Sequence, residues 1–343
     1  MELSKTITRV LQAYGLNPSE LSIERINSGH INYTYKVLPG YVLQRINKNV
    51  FLNPEVLSNN LREASSFLQQ NTPDYLFLHA IKTLSGTELF FDEEGYPWRL
   101  FPYFEDTATI NEVETVEQAY SAAKAFGLLS RQLSGCDISK FEETIPKFHD
   151  LSLRYDQFQK SLLEASNERK DLAGNLIDRY VHYNYLVSQY NTLIQSNQLQ
   201  LRITHNDTKI NNVLFERGTD NVVCVIDLDT LMPGYFIYDL GDMIRTFVSP
   251  ASEEETDVSK VMVRKKIHQA ILDGYLSEMD GILSSDEKLA IPLAGSIMTY
   301  MIGLRFLTDF LNGDTYYQTS YPHQNRDRAT NQLHLLTLLE KQA

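Results

Sequence analysis

Four oxygen-bearing side chains crowd one stretch of the chain: Asp207, Asn212, Asp227 and Asp229. Two short apolar runs, 213–215 and 222–226, lie between Asn212 and Asp227, separated by the turn-rich loop Glu216-Arg217-Gly218-Thr219-Asp220-Asn221. Paired as an antiparallel hairpin, these runs bring Asn212 opposite Asp227 at the open end. Asp207 then sits on the loop entering the hairpin, and Asp229 just past its exit. Unpaired carboxylates packed this closely repel one another and take up protons. A divalent cation removes the conflict, and carboxylate and amide oxygens are hard donors that suit magnesium better than zinc. Magnesium held by one or two carboxylates completes its shell with water and substrate phosphates. A carboxylate left outside that shell, such as Asp207, can accept the proton of an attacking hydroxyl.

The elements that must position this cluster can be read from periodicity. Leu3, Ile7, Val10, Leu11 and Tyr14 fall at helical spacing before Gly15 and Asn17-Pro18 stop the run. Ile31, Tyr33, Tyr35 and Val37 alternate as in a strand, Leu38-Pro39-Gly40 turns, and 41–46 returns as a second strand. A helix is expected over 55–70. Strands follow near 87–91 and 97–103, joined by Asp92-Glu93-Glu94-Gly95. The first ~100 residues thus predict an antiparallel sheet with one internal helix, an α+β lobe. From about residue 112 helical spacing dominates. Val113, Val116, Ala119, Tyr120, Ala123, Phe126 and Gly127 form one stripe, further helices fill 150–198, and others are expected near 258–280, 285–312 and 325–341. Ser284 and Glu287 have capping-box spacing. The seam falls near residues 101–105, dividing a lobe at 1–104 from a helical lobe at 105–343.

Composition narrows the class. The chain has 343 residues, 43% hydrophobic and 22% charged, which excludes disordered and fibrous chains. Its net charge of −13 disfavours a nucleic-acid groove, since phosphate backbones are repelled. Cys136 and Cys224 fit no zinc or redox spacing. No signal peptide or membrane span is evident, so a cytoplasmic protein with no membrane and no protein partner is expected.

His205-x-Asp207-x-x-x-x-Asn212 matches the catalytic-loop spacing of protein kinases and their small-molecule relatives. With His-Asn-Asp in the loop and Ile-Asp in place of Asp-Phe-Gly, the chain resembles the aminoglycoside phosphotransferase and choline kinase superfamily. Within that superfamily it is similar to the N-acetylhexosamine 1-kinases. The similar stretches are Gly29-His30-Ile31-Asn32-Tyr33-Thr34-Tyr35, Tyr41-Val42-Leu43-Gln44 and 205–214. They continue with Ile226-Asp227-Leu228-Asp229-Thr230-Leu231-Met232-Pro233-Gly234, Asp239-Leu240-Gly241-Asp242-Met243-Ile244-Arg245 and Arg305-Phe306-Leu307-Thr308-Asp309. The resemblance implies a two-lobed, protein-kinase-like α+β fold that moves the γ-phosphoryl group of ATP to a sugar hydroxyl. It implies Asp207 as catalytic base and Asn212 and Asp227 as magnesium ligands, with Asp229 assisting the metal or holding its loop. It further implies that residues 28–34, including Ser28, Gly29, His30, Asn32 and Thr34, cover the phosphates. It also implies that Phe101 and Tyr103 belong to the hinge against which adenine would lie.

One departure stands out. Where protein kinases carry a strand lysine for the phosphates, this chain has Gln44. Alternation points the neighbouring Arg45 to the opposite face. The lysine's usual helix partner would be Glu63. His205 is read as structural, tying its loop to a carbonyl. His30 reads equally as a surface histidine or a ligand contact, and Lys209 as a phosphate contact or a solvated lysine. Asp242 and Arg245 share a helix face as acceptor contacts or as a structural pair, while Asp239 anchors the catalytic loop. Arg305, inside an apolar helix, needs a partner: it is either tied to a core carboxylate or, the favoured reading, aimed into the cleft at a sugar hydroxyl. Tyr316 and Tyr317 could stack on the ring. Two other functions fit the same motif: a kinase for choline, an amino alcohol, homoserine or an aminoglycoside, and a non-catalytic nucleotide- or sugar-binding relative.

Overall fold

The computed structural model describes residues 2–26 and 31–341. Ser28, Gly29 and His30 lie outside the described residues.

The N-terminal lobe is a five-stranded antiparallel sheet in the order β1-β2-β3-β5-β4. After helix α1 (Glu2–Ala13) come β1 (Ser22–Ile26), β2 (Tyr33–Leu38) and β3 (Tyr41–Arg45); helix α2 (Pro54–Asn71), β4 (Phe90–Phe91) and β5 (Pro97–Pro102) complete it. Alternation assigns the two faces. Tyr35, Val37, Leu43, Trp98 and Leu100 pack against Ile7, Val10 and Leu11 of α1. The opposite face carries Thr34, Gln44 and Arg99 in one cross-strand row, because Thr34 pairs with Gln44 and Gln44 with Arg99. Arg45 does point away from this row and stacks against Tyr33 and Tyr96. Helix α2 leans the other way, with Leu61, Ala64 and Leu68 joining the core of the second lobe. Its Asn60 donates to the carbonyls of Glu142 and Leu231.

The chain crosses between lobes after β5. Short strand β6 (Thr107–Ala108) pairs with β8 (Val213–Glu216), which pairs with β9 (Val222–Val225). A second small ladder joins β7 (Arg202–Thr204) to β10 (Met232–Gly234). Around these ladders lie α3 (Val116–Gln132), α4 (Leu151–Glu164), α5 (Asn167–Ala173), α6 (Asn175–His182) and α7 (Tyr185–Gln195). They are followed by α8 (Phe236–Phe247), α9 (Lys265–Met279), α10 (Ser285–Leu311) and α11 (Gln324–Glu340). The expected capping box closes the start of α10: Ser284 and Glu287 each bond the other's backbone N–H. Gly241 of α8 lies against α10 so closely that a Cβ there would strike the Ala294 carbonyl.

Three expectations are corrected. The stripe on α3 is rotated: Val116 and Tyr120 face solvent, while Ala119, Ala122, Ala123, Phe126 and Leu129 are buried. Thr115 caps the helix, so Val113 precedes it. Helix α9 begins at Lys265 rather than near 258, because 258–260 is a separate turn of 3₁₀-helix. Finally, α10 is apolar over a length that could cross a membrane, yet its apolar window is 72% buried, as befits a core helix.

Candidate active site

The candidate catalytic loop runs between β7 and β8 and is fixed from behind by α8. Asp239 accepts the backbone N–H groups of His205 and Asn206 at 3.0 and 2.7 Å. Asp242 accepts that of Thr208 at 3.0 Å. His205 closes the loop from the other side: Nδ1 accepts the N–H of Asp207, leaving Nε2 to donate to the Ile226 carbonyl at 2.9 Å. The expected structural role of His205 therefore matches its contacts. A residue the sequence did not single out, His149, donates from Nε2 to the Asn206 carbonyl at 2.8 Å. Burial holds this imidazole neutral, with a pKa pushed down to about 3.

These supports leave the Asp207 side chain about one-third exposed. The amide of Asn212 donates to the main-chain oxygen of Asp207 at 2.8 Å and to its Oδ2 at 3.3 Å. The expected hairpin is present, one residue out of register from the sequence reading. Val213 pairs with Val225 and the Ile226 N–H meets the Asn212 carbonyl, so Asn212 lies opposite Ile226. Asp227 then takes a left-handed conformation (φ 56°) as the chain leaves the ladder. It reaches solvent through the cleft, but the surrounding protein desolvates its carboxyl, and Asp229 and Asp207 add repulsion. Together they push its pKa up to about 7.

The expected convergence of three carboxylates is also corrected. Among the described residues no three acidic, histidine or cysteine side chains are grouped to hold an ion by themselves. Asp229 is drawn aside: its Oδ1 faces the Arg99 guanidinium at 2.5 Å, and Oδ2 accepts from Asn32 at 2.7 Å. What remains fits a hard cation completed by phosphate and water. The Asp227 carboxyl makes no hydrogen bond among the described residues, and Asn212 keeps its side-chain oxygen free because its side-chain nitrogen is turned to Asp207.

The interlobe cleft has a volume of about 310 Å³. Its lining includes Thr34, Gln44, Phe101, Tyr103, Asn212 and Asp227, so these expected positions do come together. Asn32 instead bridges the lobes, its Oδ1 accepting the Asn47 N–H while its nitrogen holds Asp229. Lys209 is not part of the cleft lining. It lies between Asp207 (4.0 Å) and Glu253 (3.9 Å), which hold its ammonium above the usual range. Asp242 and Arg245 turn to the scaffold: the guanidinium pairs with Asp242 at 2.8 Å and Glu253 at 2.6 Å, both side chains being buried. Burial alone would raise the Glu253 carboxyl, but Lys209 and Arg245 outweigh it and hold its pKa at about 2. Glu63, in α2, pairs outward with Lys140.

A second cavity of about 480 Å³ opens in the helical lobe, lined by Arg154, Arg305, Asp309, Tyr316 and Tyr317. The Arg305 guanidinium lies 4.9, 5.6 and 5.8 Å from the ring centres of Phe148, Tyr317 and Tyr316. Phe148 stacks on His149, which links this cavity to the catalytic loop. Asp309 accepts the N–H groups of Thr315, Tyr316 and Tyr317, pinning the tyrosines beside Arg305. Burial and the nearby Arg305 charge lower the Arg154 guanidinium to about 10; the cavity lining sets Arg154, Lys160 and Arg305 against Glu164 and Asp309.

The proton held at Asp227 has a measurable consequence. Its native pKa exceeds the ordinary carboxylate value, so the folded protein binds more protons than the unfolded chain between about pH 4 and 7. Without metal, stability declines as pH rises through that window. A divalent cation such as magnesium, if held by Asp227, would compete with the proton, so it should raise the melting temperature more at about pH 8 than at about pH 5.5, as read by thermal-shift titration. Equal shifts at both values would remove Asp227 as a ligand.

The model of the phosphotransferase enzyme family matches residues 22–260. Solved structures with this fold include choline kinase from Cryptosporidium parvum, at 14% identity and TM-score 0.61, covering 99% of this chain and 96% of that one. Spectinomycin phosphotransferase, in complex with ADP and spectinomycin, is 14% identical with TM-score 0.58 and 98% coverage of both chains. An amicoumacin kinase bound to AMP-PNP, Ca²⁺ and its antibiotic is 11% identical with TM-score 0.59, covering 100% of this chain and 94% of that one.

Proposed function

Because the chain belongs to the phosphotransferase enzyme family, we propose that it transfers the γ-phosphoryl group of ATP to the anomeric hydroxyl of an N-acetylhexosamine. Residues 1–104 would hold the nucleotide and 105–343 the acceptor. The observation that carries the acceptor class is the placement of Arg305. Three aromatic rings form the kind of box that could take a quaternary ammonium, but the protein's own guanidinium already fills it. With Arg154 nearby, two guanidinium groups oppose a cationic acceptor at this wall and offer donors to the oxygens of a neutral sugar.

The chemistry follows from the loop. Asp207 accepts the proton of the acceptor hydroxyl as its oxygen bonds to the γ-phosphorus, and the bond to the β–γ bridging oxygen breaks to release ADP. Asn212 fixes the rotamer of that carboxylate. Lys209, held charged beside it, supplies positive potential on the acceptor side. Asn212 and Asp227 would hold magnesium, whose contribution is to neutralise charge on the phosphates. Positioning and charge neutralisation are most of what phosphoryl transfer demands.

The test is an acceptor screen with ATP and magnesium, following ADP release and phosphorus NMR of the product. N-acetylglucosamine and N-acetylgalactosamine should be turned over to the 1-phosphate, and choline, homoserine and aminoglycosides should not. Faster turnover of any cationic acceptor would overturn the sugar assignment.

A further inference from the structure

The nucleotide cleft has an electrostatic deficit. A bound nucleotide brings several negative charges to a cavity already lined by Asp227 and Asp229. At the strand position where kinases place a lysine stands neutral Gln44. Glu63, the expected partner of such a lysine, is engaged with Lys140. Among the described residues lining the cleft, Arg99 is the only cationic side chain.

Arg99 lies one strand over, directly across from Gln44 in the β3–β5 pairing, so both side chains emerge on the cleft face. Gln44 Oε1 accepts from Arg99 Nε at 3.0 Å and from one terminal nitrogen at 2.8 Å. The Gln44 amide is itself fixed by donating to Thr34 Oγ1 at 3.2 Å. The same terminal nitrogen of Arg99 faces Asp229, and the guanidinium lies 4.9 Å from the Phe101 ring centre. The other terminal nitrogen, Nη1, has no hydrogen-bond partner, although the residue is only 2% exposed. A buried guanidinium nitrogen without an acceptor is costly unless a ligand supplies one.

We propose that Arg99 replaces the missing strand lysine: its Nη1 donates to a non-bridging phosphate oxygen of the nucleotide, and Gln44 is the clamp that fixes its plane. A lysine at position 44 would stand beside this guanidinium as a like charge. A glutamine turns its carbonyl to it as an acceptor. The strand–helix ion pair of kinases is thereby exchanged for a strand–loop ion pair, Arg99 with Asp229.

The inference rests on the nucleotide reading of this cleft, and calorimetry separates the two. Wild type, Arg99→Gln, Arg99→Lys and the double variant Gln44→Lys/Arg99→Gln are titrated with ADP and with adenosine in the presence of magnesium. Wild type should bind both; failure to bind ADP would sink the nucleotide reading itself. Given binding, Arg99→Gln should weaken ADP by about 10- to 100-fold while leaving adenosine within about twofold. Moving the charge back to position 44 in the double variant should recover most of the loss. A scaffold role would instead weaken ADP and adenosine together, with no recovery, and would overturn the proposal, as would unchanged ADP affinity. If Arg99→Gln fails to fold, Arg99→Lys decides. It keeps the charge but loses the fork, so ADP should weaken by several-fold and adenosine not at all; equal losses overturn the assignment.

Discussion

Asp207→Asn should lower kcat by about 10²- to 10⁴-fold while the affinity for nucleotide stays within about twofold of wild type. The substitution is isosteric, and the stronger hydrogen bond from Asn212 goes to the main-chain oxygen of residue 207, which the variant retains. Lys209 keeps Glu253 as an ion partner. What disappears is the ability to take a proton from the acceptor hydroxyl. Steady-state kinetics on the acceptor that the screen identifies, with nucleotide affinity measured separately, gives the answer. Residual kcat above about one-tenth of wild type would mean that Asp207 only orients the acceptor.

The second large effect is on stability. Asp239→Ala removes one fully buried carboxylate that satisfies two backbone N–H groups, those of His205 and Asn206. Each donor left without an acceptor costs about 1–3 kcal/mol, so the variant should lose about 2–6 kcal/mol of unfolding free energy. Asp239→Asn retains one acceptor oxygen and should lose less. Burial raises the Asp239 carboxyl, an effect that His205 and these two N–H groups oppose. Denaturant melts of both variants give the comparison. A loss under about 1 kcal/mol for alanine would show that the loop finds other acceptors.

The candidate catalytic residues were legible because they are local. Asp207 and Asn212 belong to one loop, and the hairpin that brings Asp227 beside them is encoded by two apolar runs and a turn. Its register slipped by one residue in the reading, since hydrophobic pattern alone does not say where the ladder ends. The two sheet faces were likewise readable, and Arg45 falls on the face that alternation assigns. Arg99 was not readable. Its meaning depends on being the cross-strand neighbour of Gln44, 55 residues away, and of Asp229, which no periodicity announces. The same holds for Glu253 and His149, which act on the loop through contacts distant in sequence. Asp242 and Arg245 were correctly placed on one helix face, but the direction of that face is decided by where α8 packs. It packs beneath the loop, and the pair became scaffold. On α3 the misread stripe has a simple cause. Alanines make up much of the buried face, while large apolar residues, Val116 and Tyr120, lie on the open one.

Asn206 and Asp227 both hold positive φ angles, 65° and 56°, at the two bends that frame the cleft floor. Asparagine and aspartate are among the few non-glycine side chains that accept this geometry readily. At position 227, then, backbone shape and the proposed ligand chemistry would select the same residue for unrelated reasons. Glutamate would preserve the charge but fit the bend poorly, and glycine would fit the bend but remove the oxygen donors. Of the common alternatives only asparagine meets both conditions, and it does so at the loss of the negative charge. The route by which this corner of the molecule could drift without losing its function is correspondingly narrow.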